Sequence, residues 1–373
     1  QGDVVEAFEP LAAIGRATAA VATVDDIATA VDVVTHLALR PLQLADGGRE
    51  GVAIGGETTA AMRIRMIHAH GQVGIGRVDV GVEAAAENYG ITVIQQDPAE
   101  FNPVVQTPII EALVARGDID FLITAPTDSQ QMIPILENVR DSGIPVITVD
   151  TFIGDGDYES GEVTFPISYI GSDNFQGGYI ACEALASALG EGATIYIQNV
   201  RPGVSTTDQR EEGCKAAAED FGLILHGVDY NENDVNTAVA QTTAALEANP
   251  DIVGVFGANT FSAQGAGAAV QNAGLGGAVE VVAFDASEFA IELLREGTVT
   301  MVIAQKPSDM GYMAVSLAVA YLNGFQSIPA RIPTGYAVMT QDNIDEPEIE
   351  RFIYSERARD IDPPLEGFTM AFV

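Results

Sequence analysis

From residue 62 onward the sequence alternates short β-rich runs with stretches of helical spacing, and few folds accommodate that rhythm. Strands are predicted over 62–69, 91–97, 120–125, 145–150, 193–199, 223–230, 254–259, 280–285 and 300–305. Between them, 104–116, 130–140, 175–189, 209–221, 235–248, 263–273, 288–295 and 311–323 repeat apolar residues three and four apart. Strand, crossover helix, strand is the βαβ unit, and repeated units give parallel sheets with helices on both faces. Several runs are almost wholly apolar, as strands covered on both faces must be. Glycines such as Gly117, Gly143 and Gly297 follow the helical stretches, where a left-handed residue ends a helix.

With 373 residues, 47% of them hydrophobic, the chain can build two ordinary cores. The rhythm divides near 171–173 into two consecutive α/β blocks. Residues 1–61 do not share it: 4–19 and 24–39 read as two Ala-rich helices ahead of a Gly-rich joint, an appendage rather than a catalytic part. The acidic tail after Gln341, with Pro363 and Pro364, reads as an irregular extension wrapping one block.

The formal charge is 17 − 53 = −36, so nucleic acid, itself a polyanion, is excluded as a partner. No uninterrupted apolar run of about 18 residues marks a membrane span, and no basic, apolar signal segment opens at Gln1. Cys182 and Cys214, the only cysteines, sit on apolar helix faces and are either one disulfide or two buried thiols.

In open α/β sheets ligands bind beyond the carboxyl ends of the strands. The polar residues there are His68 and His70, Asp150, Asn259, Asp285 and Gln305. A planar carboxylate or amide can engage two adjacent hydroxyls, which suits a polyol better than an anion. The competing role for each is to cap the next helix.

Seven runs carry a family resemblance: TAPTDS from Thr124, PVITVD from Pro145, IGSDNFQGG from Ile170, QREEG from Gln209, NPDIVGVFGAN from Asn249, VVAFD from Val281 and VIAQKP from Val302. In order and spacing they resemble the ribose-type periplasmic sugar-binding proteins of ABC importers, over roughly 62–339. The resemblance implies an α/β fold of two similar doubly wound parallel-sheet lobes with a three-segment hinge near 172–173, 305–306 and 334–336. The lobes would be 62–172 plus 306–335 and 173–305 plus 336–373, behind the 1–61 extension. It implies a protein that is no enzyme and needs no cofactor, and that closes around a small neutral sugar or polyol. That protein would be a periplasmic or extracellular monomer serving a membrane permease, with a lipid anchor as one arrangement.

Carried over by position, the sugar contacts fall on His68, Gln72, Asp150, Thr151, Asp208, Asn233, Asn259, Asp285 and Gln305. Ribose-type members have paired aromatics in the first loop, an aromatic in the second lobe and two arginines over the ring. Here Gly74 and Ile75, Asn233, Thr151 and Asp208 stand there, which argues against ribose itself. Phe152 or Phe261 is expected to offer the apolar face of a pyranose a ring, or else to be core. The acidic insertion 154–165 reads as a solvated hairpin or flap at the mouth, without the glycine and distal glutamate of a calcium loop.

Other classes fit less well. Gly71, Gly74 and Gly76 suggest a dinucleotide loop, but Asp79 stands where the third glycine belongs and would oppose a pyrophosphate. Four histidines and no hydrolase or kinase motif give other catalysis little footing. A LacI-like repressor would need a basic helix-turn-helix ahead of residue 62, and none is present. A periplasmic autoinducer receptor would use the same cleft.

Overall fold

The structure is a computed structural model and describes residues 63–67, 77–117 and 119–354. The helices expected over 4–19 and 24–39, the residues His68, His70 and Gln72, and the tail beyond 354 lie outside the described residues.

The first half of the chain runs β1 (Arg63–Ile67), α1 (Val78–Tyr89), β2 (Thr92–Gln96), α2 (Pro103–Arg116), β3 (Phe121–Thr124), α3 (Ile133–Asp141), β4 (Val146–Val149) and β5 (Ser168–Gly171). The second half repeats the pattern with α4 (Asn174–Leu189), β6 (Thr194–Asn199), α5 (Ser205–Asp220), β7 (Ile224–Tyr230), α6 (Val235–Ala248), β8 (Ile252–Gly257), α7 (Thr260–Asn272), β9 (Glu280–Phe284), α8 (Glu288–Glu296) and β10 (Met301–Ala304). Helix α9 (Pro307–Leu322) returns to pack on β3, β4 and β5, then β11 (Arg331–Pro333) joins the first sheet and β12 (Ala337–Met339) the second. A short helix α10 (Pro347–Glu350) follows.

The two sheets have matching orders, β2-β1-β3-β4-β5-β11 and β7-β6-β8-β9-β10-β12. All pairings in the first are parallel, and only β12 runs antiparallel in the second. The chain passes between sheets at 172–173, 305–306 and 334–336. Residues of β3, β4 and β5 are buried throughout, as strands of a parallel sheet covered on both faces are. One core lies in the first half around Leu122, Leu136 and Val146. Two more sandwich the second sheet, around Val255, Val281 and Leu294 on one face and Ile195, Phe256 and Phe284 on the other.

Matching helix pairs repeat one packing device. A Cβ on Gly81 of α1 would sit 1.8 Å from the Ser308 carbonyl oxygen, and one on Gly311 of α9 would sit 2.2 Å from that of Val78. In the second half Gly178 of α4 and Gly213 of α5 meet the Arg210 and Phe175 carbonyls at 1.9 Å in the same reciprocal way. These crossings are closer than any side chain permits, so the four glycines set them.

The same α4–α5 crossing brings Cys182 and Cys214 to a Cα separation of 5.0 Å, and they form a disulfide. The link closes a 32-residue interval, so replacing both cysteines by alanine is expected to cost about 4 kcal/mol. Thermal unfolding should show a midpoint lower by a few degrees; an unchanged midpoint would mean that the helix packing alone imposes the constraint.

Segment 154–165 is not a solvated hairpin. It forms consecutive turns with no strand, and Tyr158 and Val163 are buried in the first core. The Tyr158 hydroxyl pairs with Thr148 Oγ1 at 2.8 Å and accepts from the Ile153 N–H at 3.0 Å. Its acids close local turns, Asp157 accepting from the N–H groups of Glu159 and Ser160. A tyrosine within an acidic run was the signal for an inward anchor. Among the described residues no group of three His, Cys, Asp or Glu is placed to hold a metal, and no helix is long and apolar enough to cross a membrane.

Candidate functional site

The carboxyl ends of the two sheets face a narrow cavity whose enclosed free space is about 10 Å³, room for about one water. Asp150, Asn259, Asp285 and Gln305 all line it, together with Phe101, Val200, Val204, Thr206, Thr207 and Arg210. That is less than a sugar needs, so a ligand would enter only as the surrounding segments part.

Asp150 follows β4 and Asp285 follows β9, strands at equivalent places in the two sheet orders. Both are buried and both take the left-handed backbone, with φ of 60° and 74°. Asp tolerates that conformation better than most residues, and such strain gathers at functional sites. The Asp150 N–H donates to the Ile170 carbonyl and the Asp285 N–H to that of Ile303, so neighbouring strands hold both turns.

Neither residue caps the helix that follows it in the chain; Ser287 caps α8. Asp285 Oδ2 accepts from the N–H and hydroxyl of Thr260 at 3.1 Å each, and Oδ1 from Gln305 Nε2 at 2.9 Å. Gln305 Oε1 accepts from Ser172 Oγ at 3.0 Å, which fixes the amide and ties two hinge crossings together. Tyr354 closes the group, accepting from the Gln305 N–H at 2.9 Å.

Asn259 does cap α7, its Oδ1 accepting from the Ser262 N–H at 3.0 Å, while its Nδ2 donates to Asn233 at 2.9 Å. Asn233 therefore orients Asn259 and does not itself line the cavity. The other expected contacts are also spent elsewhere. Thr151 donates to the Pro126 carbonyl at 2.6 Å, and Asp208 accepts from the Gly203 N–H at 2.9 Å. Phe152 is buried in the first core, edge-on to Tyr169 at 5.3 Å, and Phe261, half-buried on α7, is not part of the lining.

Six lining residues escaped the sequence reading, Arg210 and Phe101 the most consequential of them. Arg210, only 2% exposed, donates to Asn174 Oδ1 and the Ala258 carbonyl at 2.9 Å each and stacks 3.8 Å from the Phe284 ring centroid. Its Nη2 is buried without a partner, a donor that lacks its acceptor. The signal was its register: Arg210 shares a face with Gly213, Cys214 and Ala217, the buried face of α5. Phe101 supplies the aromatic wall, from the loop before α2.

Electrostatics follow from the enclosure. Burial pushes the Asp150 carboxyl up to about 6, with Arg210 pulling it back, Asp285 adding to the rise and a Gln305 hydrogen bond lowering it. Burial also lifts Asp208 to about 6, opposed by its Gly203 hydrogen bond and reinforced by Glu211, Glu212 and Asp128.

Contacts across the mouth hold the halves together. The Ser129 N–H donates to the Gly203 carbonyl at 3.0 Å, and the Phe152 N–H to Ser205 Oγ at 3.1 Å.

The profile of the periplasmic binding protein domain matches residues 67–326. The ribose import binding protein of Salmonella typhimurium is 31% identical over 255 residues, which are 68% of this chain and 81% of that one. An ABC transporter solute binding protein from Agrobacterium vitis, in a crystal structure with alpha-D-tagatopyranose, is 44% identical with a TM-score of 0.77, over 79% of this chain and 100% of that one. A second from Agrobacterium vitis, with bound D-fucose, is 26% identical with a TM-score of 0.73, over 78% of this chain and 100% of that one. The α/β fold is thus shared with these proteins, and the chain belongs to the periplasmic binding protein family, among its ribose-type members.

Proposed function

We propose that this protein is the extracytoplasmic solute-binding subunit of an ABC importer, and that it encloses one neutral monosaccharide between two lobes. The lobes are 62–172 with 306–335, and 173–305 with 336–373. The observation that carries this is the convergence of Asp150 and Asp285, from equivalent strands of the two sheets, on a cavity lined also by Arg210, whose Nη2 is unpaired. Carboxylates accept from hydroxyls, and a guanidinium donates to a ring or hydroxyl oxygen, so together they meet the mixed polarity of a sugar. Phe101 adds an apolar wall for a pyranose face.

The mechanism is population shift. A ligand that bridges both lobes favours the closed state by its differential contacts, whereas one that touches a single lobe would bind without closing it. The closed form, as a monomer at the outer face of the cytoplasmic membrane, would then present its cargo to a permease. Ligands named with the relatives, tagatopyranose and fucose among them, define the panel to try first.

Thermal unfolding against neutral ketohexoses, aldohexoses, pentoses and polyols should single out at least one compound. At about 100 times its Kd such a ligand adds about 2.7 kcal/mol and raises the midpoint by several degrees. A flat response over the whole panel would remove the sugar reading.

A further inference from the structure

Arg201 follows Val200 at the carboxyl end of β6, in the second lobe, yet its guanidinium reaches the first. Nη2 donates to the Thr127 carbonyl at 2.9 Å and Nη1 to the Phe101 carbonyl at 3.4 Å, while the guanidinium carbon lies 5.7 Å from the Phe101 ring centroid. Phe101 itself belongs to neither strand nor helix; it sits in the loop joining β2 to α2, with Asn102 after it capping α2. The same ring is a wall of the cavity.

We propose that Arg201 is a positioning residue that fixes the aromatic wall of the site as the lobes close. Resting on the sugar-receptor reading, this assigns Arg201 a part in retaining the ligand without touching it. In an open form the lobes separate, so the carbonyl and ring contacts of Arg201 are lost and the Phe101 loop is held only by its own lobe. On closure the planar fork of the guanidinium grips two first-lobe carbonyls and lies against the ring, a geometry that a lysine ammonium cannot reproduce. The pyranose face then meets a fixed ring, and the sugar leaves only after the clasp opens. Contacts that exist in one state alone bias the equilibrium toward it, and their loss is read mainly in dissociation.

The test compares the wild type with Arg201→Ala, Arg201→Lys, Phe101→Ala and the Arg201→Ala, Phe101→Ala double variant, using the tightest sugar of the panel. Stopped-flow kinetics of Arg201→Ala should show dissociation faster by about tenfold or more, with association changed far less. Lysine should not restore slow release. The double variant should release sugar no faster than Phe101→Ala alone, because the arginine acts through the ring. Unchanged dissociation in Arg201→Ala, full rescue by lysine, or additive losses in the double variant would overturn the assignment.

If the wild type binds no sugar, the functional reading fails, and the clasp is judged separately. Spin labels at the exposed positions Glu137 of the first lobe and Glu219 of the second report the lobe separation without ligand. Arg201→Ala should move that distribution to longer distances, and superimposable distributions would reject the clasp.

Discussion

Replacing Asp285 by alanine is expected to leave a folded protein whose sugar affinity is lower by about 2–5 kcal/mol, on the order of thirty-fold to several thousand-fold. The loss is large because the carboxylate is 4% exposed and its two oxygens tie three segments to the cavity: Thr260 at the start of α7, Gln305 at the hinge and Tyr354 in the tail. Alanine would free the Gln305 amide to turn and leave the Thr260 hydroxyl and N–H with one acceptor fewer. The ligand would then meet two misplaced groups as well as one missing charge. The backbone should survive, since the strand-end bond from the Asp285 N–H to the Ile303 carbonyl needs no side chain. Alanine at φ 74° costs about 1–2 kcal/mol, which a protein of this size tolerates. Asparagine accepts the left-handed turn better, so Asp285→Asn isolates the charge from the backbone. Titration calorimetry beside far-ultraviolet circular dichroism checks both parts; wild-type affinity in either variant would take Asp285 out of the site.

The architecture was legible because alternation is a property of whole stretches. Nine β-rich runs correspond to β1–β4 and β6–β10, and the three expected crossings fall where the chain changes sheets. What the rhythm could not reveal was short or locally atypical. Strands β11 and β12 have three residues each, too few for a period to register, and β5, running Ser168 to Gly171, lacks the unbroken apolar run that marked its neighbours. Helix α1 carries Gly81 and the β-branched Val78, Val80 and Val82, poor helix formers whose sense appears only when Ser308 is seen against the glycine. Helices α5, α7 and α9 begin three or four residues before their expected starts, at Ser205, Thr260 and Pro307, because the first turn faces the cavity or hinge and carries polar residues there.

The site divided along the same line. Strand ends are fixed by topology, so Asp150, Asn259, Asp285 and Gln305 could be placed together from sequence. Whether a residue one or two places further on points inward depends on the turn, and Thr151 and Phe152 turned into the first lobe instead. Arg210 was hidden by the polar composition of its helix, although its register on the buried face gave it away. Phe101 lies in an irregular loop, where only tertiary contacts decide where a ring goes.

Sugar affinity should weaken as the medium is made acidic through pH 6, by up to tenfold per unit and about thirtyfold by pH 4.5. The cause is Asp150, whose carboxyl is pushed up to about 6 by burial in the cavity. Hydroxyls that donate to the carboxylate favour its charged form, so the bound-state pKa lies below the free one and binding below pH 6 must expel a proton. Asp208, also near 6, does not line the cavity, so Asp208→Asn should leave the profile unchanged.

The ligand-free fold responds with the opposite sign. Relative to the ordinary 3.8, folded Asp150 binds its proton more tightly than the unfolded chain does, so its contribution to stability is greatest below about pH 4. That contribution, of about 3 kcal/mol, is lost as the pH rises through about 6. Relief of repulsion in a chain of net charge −36 acts in the same direction. Calorimetry in two buffers of different ionisation enthalpy should therefore record proton release on binding at pH 5, and constant affinity from pH 4.5 to 7 or proton uptake would refute the role of Asp150. Acid unfolding cannot imitate the expected pattern, because it would lower the ligand-free melting temperature in the window where Asp150 holds it level or raises it.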